Sequence, residues 1–172
     1  SAAIAGAPSG SAFLLHEQTA GRGRRGRRWK SERGGMYVSV IIYPIQPRES
    51  WYGLSFAAAL AVRDTVESHL IEKLNRCGVI NELPEIGLKW PNDVLVDNRK
   101  ISGVLLEADD NKLIIGSGIN IAKIESADNS QHPPIGLADF PGVLPSPKEL
   151  AKIYLKHLQY YYQLWEKNGF EP

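Results

Sequence analysis

Residues 86–122 restrict the fold more than any other part of the sequence. Short runs rich in Val, Ile and Leu follow one another here, separated by turns at Asp97-Asn98 and in the segment ADDNK, residues 108–112. Connections this short join antiparallel neighbours, because a parallel pair needs a crossover of about a dozen residues or more. The segment therefore predicts an antiparallel meander. Its expected strands lie at residues 86–90, on both sides of the turn within 93–108, and at 113–122.

Two further strands and two helices are expected around this meander. Residues 11–19 are predicted to form a short buried strand, and residues 36–44, rich in β-branched and aromatic residues, a second strand. Apolar residues at helical spacing predict one helix between an N-cap at Ser50 and a C′ glycine at Gly78, and another that begins after Ser146. Because the helices are set apart from the strands, we expect an α+β fold with a largely antiparallel sheet and flanking helices.

The composition is that of a globular chain of one domain. The 172 residues are 43% hydrophobic and 23% charged, and the formal net charge is +1, so the whole chain is not a general polyanion binder. No apolar run approaches the roughly 20 residues that span a bilayer, and the N-terminus does not read as a signal peptide, so we expect a cytoplasmic protein without a membrane partner. A single cysteine, Cys77, allows no internal disulfide and disfavours a cysteine-based metal site.

A basic, glycine-rich segment, GRGRRGRRWK at residues 21–30, is the strongest functional signal. It contains six basic side chains and three glycines. Its G-x-G-x-x-G pattern matches the dinucleotide fingerprint, but no helical periodicity follows and Gly34-Gly35 precedes a strand, so we reject a Rossmann site. Two interpretations remain. The arginines and Trp29 bind a nucleic acid, or they bind a small ligand whose phosphate oxygens pair with arginine.

A second segment, LKWPND at residues 88–93, supplies the other half of a small-ligand site. Lys89 lies on a predicted strand. One opposite charge at about 4 Å is worth roughly 4 kcal/mol at an effective dielectric constant near 20, before desolvation. Asn92 and Asp93 have side chains of the kind that hold magnesium or its waters. Each feature alone also fits a surface lysine and ordinary turn chemistry, so the functional interpretation depends on the two segments together.

With RKISGVLLE at residues 99–107 and GSGINIA at 116–122, these segments resemble the catalytic domain of biotin–protein ligases in content, order and spacing, from about residue 13 onward. The resemblance implies the α/β catalytic fold of biotin and lipoate ligases, of the class II synthetase-like type, with a mixed sheet. It also implies an ATP-dependent ligase that forms biotinyl-5′-AMP, releases pyrophosphate, and transfers biotin to one lysine of a biotin carboxyl carrier protein. Biotin and ATP are then substrates, and Mg²⁺ is the implied metal.

The resemblance also implies roles for individual residues. Lys89 and Arg24 are the implied catalytic residues. Contacts to biotin are implied for Gln18, Gly21, Arg22, Gly23, Arg24, Lys89 and Gly103. Contacts to ATP are implied for Arg24, Arg27, Trp29, Lys89, Asn92 and Asn120, with Trp29 at the adenine, and Asp93 is implied near the metal. The cations suit adenylation, because this step brings a carboxylate and a phosphate together and their repulsion must be neutralised.

The chain departs from the family pattern at both ends. The upstream Ser-Thr-Asn segment of relatives and their small C-terminal β-barrel domain are not found, so residues 1–172 are expected to form a single catalytic domain truncated at its N-terminus. No helix-turn-helix is found either, so DNA binding is not expected, while homodimerisation stays open. The alternatives are a lipoate–protein ligase, a nucleic-acid-binding module with a basic loop, and a ligase-derived protein that binds biotin without turnover.

Overall fold

One antiparallel sheet and two long helices form the core of the chain in a computed structural model that describes residues 6–31, 33–79, 83–124 and 131–169. The strands are β1 (Ala12–Leu15), β2 (Met36–Ile42), β3 (Ile86–Lys89), β4 (Asp93–Val96), β5 (Arg99–Asp109) and β6 (Lys112–Ile119). The helices are α1 (Gly53–Arg76) and α2 (Pro147–Asn168). The sheet order is β1-β2-β6-β5-β4-β3, and all neighbouring strands are antiparallel. The predicted α+β class with a largely antiparallel sheet is confirmed, and among the described strands the sheet is antiparallel throughout rather than mixed.

The meander forms because its turns are built from residues that accept left-handed backbone conformations. Asp97 and Asn98, which join β4 to β5, have φ angles of 47° and 60°, and Asp110, between β5 and β6, has a φ of 48°. Asp and Asn tolerate this region better than other residues that carry a side chain. The predicted hairpins are therefore confirmed, although β6 ends at Ile119 rather than at residue 122.

Both helices cover the same face of the sheet. The side chains of alternate residues on β2 and β6 point to this face, including Val38 and Ile115, and they form one buried core with α1 and α2. On α2, Leu150 and Tyr154 are fully buried in this core. This leaves the opposite face of the central strands without a covering helix, and the largest part of a cavity lined by Gly103, Gly116 and Gly118 lies there. Within the described ranges, no helix is long and apolar enough to cross a membrane.

The predicted start of α2 is confirmed by its hydrogen bonds. The hydroxyl of Ser146 accepts from the backbone N–H of Glu149 at 3.2 Å, and the Glu149 carboxylate accepts from the backbone N–H of Ser146 at 2.9 Å. Pro147 occupies the first turn, where its missing N–H leaves no helical hydrogen bond unmade. This reciprocal capping box determines where the helix begins.

The predicted start of α1 was wrong by two residues. Residues Arg48–Ser50 form a 3-10 helical turn, and the Ser50 hydroxyl donates to the carbonyl of Pro47 at 2.7 Å instead of capping a helix. The α-helix begins at Gly53. At its other end the prediction holds, because Gly78 has a φ of 69° immediately after the C-cap residue, where glycine adopts the left-handed conformation without strain.

The first strand is shorter and less buried than predicted. It covers Ala12–Leu15 instead of residues 11–19, and it pairs only with β2, at one edge of the sheet. An edge strand is covered from one side only, so Leu15 remains 40% exposed. The residues after it leave the sheet and lead into the basic loop. In the proline-rich segment 123–145, which was expected to be a loop, residues 125–130 lie outside the described ranges.

Candidate ligand site on the open face of the sheet

A cavity of about 700 Å³ lies between the basic loop, the uncovered face of the central strands and the turn after β3. Eleven of the twelve residues implied as site residues line it: Gln18, Gly21, Arg22, Gly23, Arg24, Arg27, Trp29, Lys89, Asn92, Asp93 and Gly103. The twelfth, Asn120, does not. The volume of the cavity falls within the roughly 300–1,000 Å³ of typical small-molecule sites. The two motifs that are far apart in the sequence therefore do meet at one cavity.

The basic loop is a small hairpin with its arginines near the tip. The N–H of Trp29 donates to the carbonyl of Gly21 at 3.0 Å, and the N–H of Gly23 donates to the carbonyl of Arg27 at 2.7 Å. At the tip, Arg25 and the glycine after it have positive φ angles of 56° and 72°. A Cβ at Gly21 would overlap the carbonyl oxygen of Trp29. Glycine at that position is therefore required by the close approach of the two arms.

The base of this hairpin is held by a glutamine that the resemblance assigns to biotin. The Ser31 hydroxyl donates to Oε1 of Gln18 at 2.7 Å, and the N–H of Gln18 donates to the carbonyl of Ser31 at 3.1 Å. Ser31 is buried, and Gln18 is half-buried where it lines the cavity. Gln18 thus fixes the point at which the loop leaves the sheet, and the same side chain faces the ligand space.

Two polar contacts hold the loop over the cavity. Nη1 of Arg24 donates to Oδ1 of Asn92 at 3.3 Å, which joins the loop to the turn after β3. Nη2 of Arg22 lies 2.8 Å from Oε1 of Glu107 on β5, which joins the loop to the sheet. Both contacts are largely exposed, so each contributes little stability by itself. They do orient the two guanidinium groups towards the cavity.

Trp29 lies flat on a floor made of glycine. A Cβ at Gly118 would lie 2.9 Å from the indole nitrogen, and a Cβ at Gly103 would lie 3.1 Å from the ring edge. These two glycines are cross-strand partners on β6 and β5. The indole Nε1 is buried and has no hydrogen-bond partner among the described residues. Sequence reasoning did not predict Gly118, although a small residue at alternate positions of β6 is the pattern that a flat floor requires.

A second lysine, which sequence reasoning missed, lies deeper in the cavity than Lys89. Nζ of Lys100 lies 2.7 Å from a carboxylate oxygen of Asp93 and 5.2 Å from the centroid of the Trp29 ring. Its side chain is only 29% exposed, whereas Lys89 is exposed and forms no ion pair within the described ranges. The sequence did contain a signal for Lys100, because this residue lies in the segment RKISG immediately after the predicted turn at Asp97-Asn98.

The amides of the two predicted asparagines are used in different ways. Asn92 faces the cavity, and its Nδ2 donates to the carbonyl of Val104 at 2.7 Å, which secures the turn against β5. Asn120 is buried and does not line the cavity, and its Nδ2 donates to the carbonyls of Lys100 and Ile135 at 3.3 and 3.1 Å. In this arrangement Asn120 supports the strand that carries Lys100. Its contact with ATP stays a prediction.

Carboxylates are few at this site. Asp93 and Glu107 are the acidic residues that line the cavity, and each is engaged by a cation, Lys100 and Arg22 respectively. No group of three or more His, Cys, Asp or Glu residues with metal-binding geometry occurs in the described parts of the chain. The donor set fits a Mg²⁺ ion held by one carboxylate together with substrate phosphates, and it does not fit a metal site built from protein ligands alone.

Comparison with known proteins places the chain in a family. A sequence profile of the Biotin/lipoate A/B protein ligase family matches residues 2–121. The chain belongs to this family. Among curated members, the biotin–[acetyl-CoA-carboxylase] ligase of Paracoccus denitrificans is 31% identical over 173 residues, which cover 95% of this chain and 68% of the relative. The corresponding ligase of Mycobacterium tuberculosis is 33% identical over 153 residues, which cover 87% of this chain and 53% of the relative.

Solved biotin protein ligases share the fold. The Aquifex aeolicus enzyme in complex with biotin and ATP superimposes with a TM-score of 0.79 at 30% identity, over 95% of this chain and 65% of that one. The Leishmania major enzyme in complex with biotinyl-5-AMP gives a TM-score of 0.71 at 28% identity, over 92% of this chain and 70% of that one. This ligase-family chain thus spans from about half to about two thirds of the length of the relatives named here.

Proposed function

We propose that this chain is the catalytic domain of a biotin–protein ligase, which activates biotin with ATP and transfers it to a lysine of a biotin carboxyl carrier protein. The observation that carries the proposal is the shared cavity, in which cations from two distant segments converge over a glycine floor. Arg24 of the loop and Asn92 of the turn, 68 positions apart, are in direct contact there. The proposal includes a cytoplasmic site of action, where ATP is available. It is compatible with a monomer and with a homodimer.

The first half-reaction needs two anions side by side. A biotin carboxylate oxygen attacks the α-phosphorus of ATP, the new P–O bond forms, and the bond to pyrophosphate breaks. Arg22 and Arg24 have guanidinium groups suited to paired contacts with carboxylate and phosphate oxygens. Because they are oriented by Glu107 and Asn92 before the substrates arrive, little reorganisation is needed when negative charge develops on the transferred phosphorus.

Lys100, rather than Lys89, is the cation that we propose for the reacting carboxylate and α-phosphate. Its ammonium group is held over the glycine floor by Asp93 and by the face of Trp29, and partial burial strengthens its interaction with an anion. Lys89 lies at the border of the cavity and is exposed, so its charge is screened by water and salt. Lys89 then contributes to the attraction of ATP more than to the chemical step.

Mg²⁺ would accompany ATP in this proposal. Asp93 is the residue that would contribute a carboxylate oxygen, once a substrate anion engages Lys100 in its place. The ion would neutralise charge on the leaving pyrophosphate. The remaining ligands would come from phosphate oxygens and water, which is the usual way in which Mg²⁺ is bound at nucleotide sites.

The second half-reaction transfers the biotinyl group. The neutral amine of the acceptor lysine attacks the acyl carbon, an amide bond forms, AMP leaves with the electrons of the C–O bond, and the extra proton passes to solvent. Biotinyl-5′-AMP reacts with water, so the basic hairpin must keep water out until the acceptor arrives. The polar contacts of the loop with Asn92 and Glu107, together with the packing of Trp29 on Gly118, hold it over the cavity.

The decisive experiment measures pyrophosphate release with ATP and either biotin or lipoate, followed by labelling of a purified biotin carboxyl carrier domain. We expect release that depends on biotin, and a biotinylated acceptor. Release with lipoate alone would instead identify a lipoate ligase. Biotin binding without release would identify a binding protein that has lost turnover, and binding of nucleic acid that weakens steeply with salt would support the module with a basic loop.

A further inference from the structure

The turn after β3 exposes a large aromatic side chain beside a second hollow. Trp90 is 65% exposed, and its ring stacks on that of Phe56 on α1 with a centroid distance of 4.3 Å. A hollow of about 90 Å³ opens next to it. The hollow is lined by Phe56, Ala59, Leu88 and residues 89–93. Since residues 89–93 also line the ligand cavity, the hollow and the cavity share one wall.

We infer that this surface is where the acceptor protein docks during transfer. The surface, called the Trp90 patch, consists of Leu88, Lys89, Trp90 and the adjoining hollow. The acceptor places an apolar side chain close to its reactive lysine in the hollow, while that lysine enters the cavity beyond residues 89–93. The inference rests on the proposed function, because it assumes a protein lysine as the second substrate.

The geometry of the reaction requires a protein surface at this position. The acceptor lysine reaches only the length of its own side chain into the cavity, so the surface around it must contact the rim. One side of the rim is the arginine hairpin, where Arg25, Arg27 and Arg28 are exposed. The other side is the Trp90 patch. Other strongly exposed apolar residues, such as Ile45, Val143 and Tyr160, line neither the cavity nor the hollow.

The chemistry of the rim specifies the kind of partner. Interface centres are enriched in tryptophan, and hot spots combine a large aromatic side chain with a pocket that is emptied of water on binding. The exposed arginines and the unpaired Lys89 favour carboxylates around that apolar centre. We therefore expect an acceptor face with an apolar side chain beside the reactive lysine and acidic residues around both.

The Trp90 patch is also held rigidly before any partner binds. The Ser55 hydroxyl on α1 donates to the carbonyl of Pro91 at 3.1 Å, and the stacking on Phe56 restricts the rotation of the Trp90 ring. A side chain that is already ordered loses little conformational freedom on binding, so more of its contact energy appears as affinity. An exposed tryptophan with no role in binding would not need the stacking on Phe56 or the hydrogen bond from Ser55 that order this turn.

The test separates docking from activation. Leu88 lines the hollow but not the large cavity, so Leu88→Glu places a charge in the proposed docking site and leaves the substrate site intact. Activation is measured as biotin hydroxamate, formed when hydroxylamine replaces the acceptor, and transfer is measured to a purified biotin carboxyl carrier domain. We expect an unchanged hydroxamate yield and a KM for the carrier domain that rises about tenfold or more. Trp90→Ala is the second variant. Because Trp90 also lines the cavity, its effect on docking is the loss of transfer to the carrier domain in excess of any loss of hydroxamate yield.

Tyr160→Glu is the matched control. Tyr160 is similarly exposed, at 60%, and it lies on α2 and lines neither the cavity nor the hollow. It should change neither readout. An unchanged carrier KM in both Leu88→Glu and Trp90→Ala overturns the docking site, and so does a parallel loss of hydroxamate and transfer. If Leu88→Glu does not fold, Trp90→Ala decides alone. A wild-type chain that forms no hydroxamate would instead refute the proposed function, and the inference with it.

Discussion

Nη1 of Arg24 donates a hydrogen bond of 3.3 Å to Oδ1 of Asn92, and this contact joins the basic hairpin to the turn after β3. The hairpin and the turn both line the cavity. A single exposed hydrogen bond contributes on the order of 1 kcal/mol, so it can be lost without unfolding the protein. Its importance is positional, because it sets how closely the loop covers the ligand space.

Arg24→Gly should therefore allow the activated intermediate to escape. The loop would lose its contact with Asn92 and one cation near the phosphate, so biotinyl-5′-AMP would leave the site and label lysines of a bystander protein such as albumin. Arg25→Gly is the control, since Arg25 has a φ of 56°, where glycine fits without strain, and loses the same charge. Equal bystander labelling by both variants would show that charge, rather than the contact with Asn92, retains the intermediate.

Lys100→Ala should reduce biotin-dependent pyrophosphate release more than Lys89→Ala. A preorganised cation next to the transferred phosphorus is worth about 100- to 1,000-fold in rate, whereas an exposed lysine at the rim is expected to change mainly the KM for ATP. The comparison uses initial rates at saturating ATP. A larger fall in kcat for Lys89→Ala would instead support Lys89 as the catalytic lysine, the role that the family resemblance implies for it.

Gly118→Ala should lift Trp29 off the floor of the cavity. The added methyl group would lie 2.9 Å from the indole nitrogen, so the ring must move, and the hairpin should be cleaved faster by trypsin. Gly116→Ala lies on the same strand, and its methyl group would meet the Leu105 carbonyl at an ordinary 3.6 Å. Equal cleavage rates of the two variants would contradict the close contact between Trp29 and Gly118.

Tyr154→Phe should destabilise the fold, although the Tyr154 side chain does not line the cavity. The hydroxyl groups of Tyr154 and Ser117 lie 2.6 Å apart in the core between α2 and β6, and burial raises the pKa of Tyr154. Loss of one partner leaves the other buried and unsatisfied, at about 1–3 kcal/mol. Urea denaturation measures the change, and adding Ser117→Ala should recover part of it. Full additivity of the two single substitutions would argue against the hydrogen bond.

His69 should make stability depend on pH below neutrality. Burial in α1 lowers its pKa, and the charge of Lys73 lowers it further. The unfolded chain, with a histidine pKa of about 6.5, binds the proton more readily, so stability that is fully present above about pH 6.5 is lost as the pH falls towards the folded pKa. Urea unfolding at about pH 7.5 and at about pH 5.5 should show a smaller loss for His69→Gln than for wild type. The same loss in both proteins would exclude this histidine as the cause.

The sequence alone determined the features that depend on neighbours along the chain. Left-handed turns at Asp97-Asn98, the capping box at Ser146 and the terminal glycine at Gly78 were all predictable, because local backbone preferences decide them. The two motifs were also readable in sequence as halves of one site. The start of α1 was not predictable in this way, because the hydroxyl of Ser50 can either cap an α-helix or donate to a carbonyl in a 3-10 turn, as it does here.

Only the tertiary structure decided which side chains meet on the open face of the sheet. Side chains on a strand alternate between faces, so their neighbours depend on strand order and register. Here β6 lies between β2 and β5. This order pairs Gly103 with Gly118 under Trp29 and leaves Lys100 beside Asp93. Asn120 lies just beyond the end of β6 and is buried, and the carbonyls of Lys100 and Ile135, which are distant in sequence, accept its hydrogen bonds.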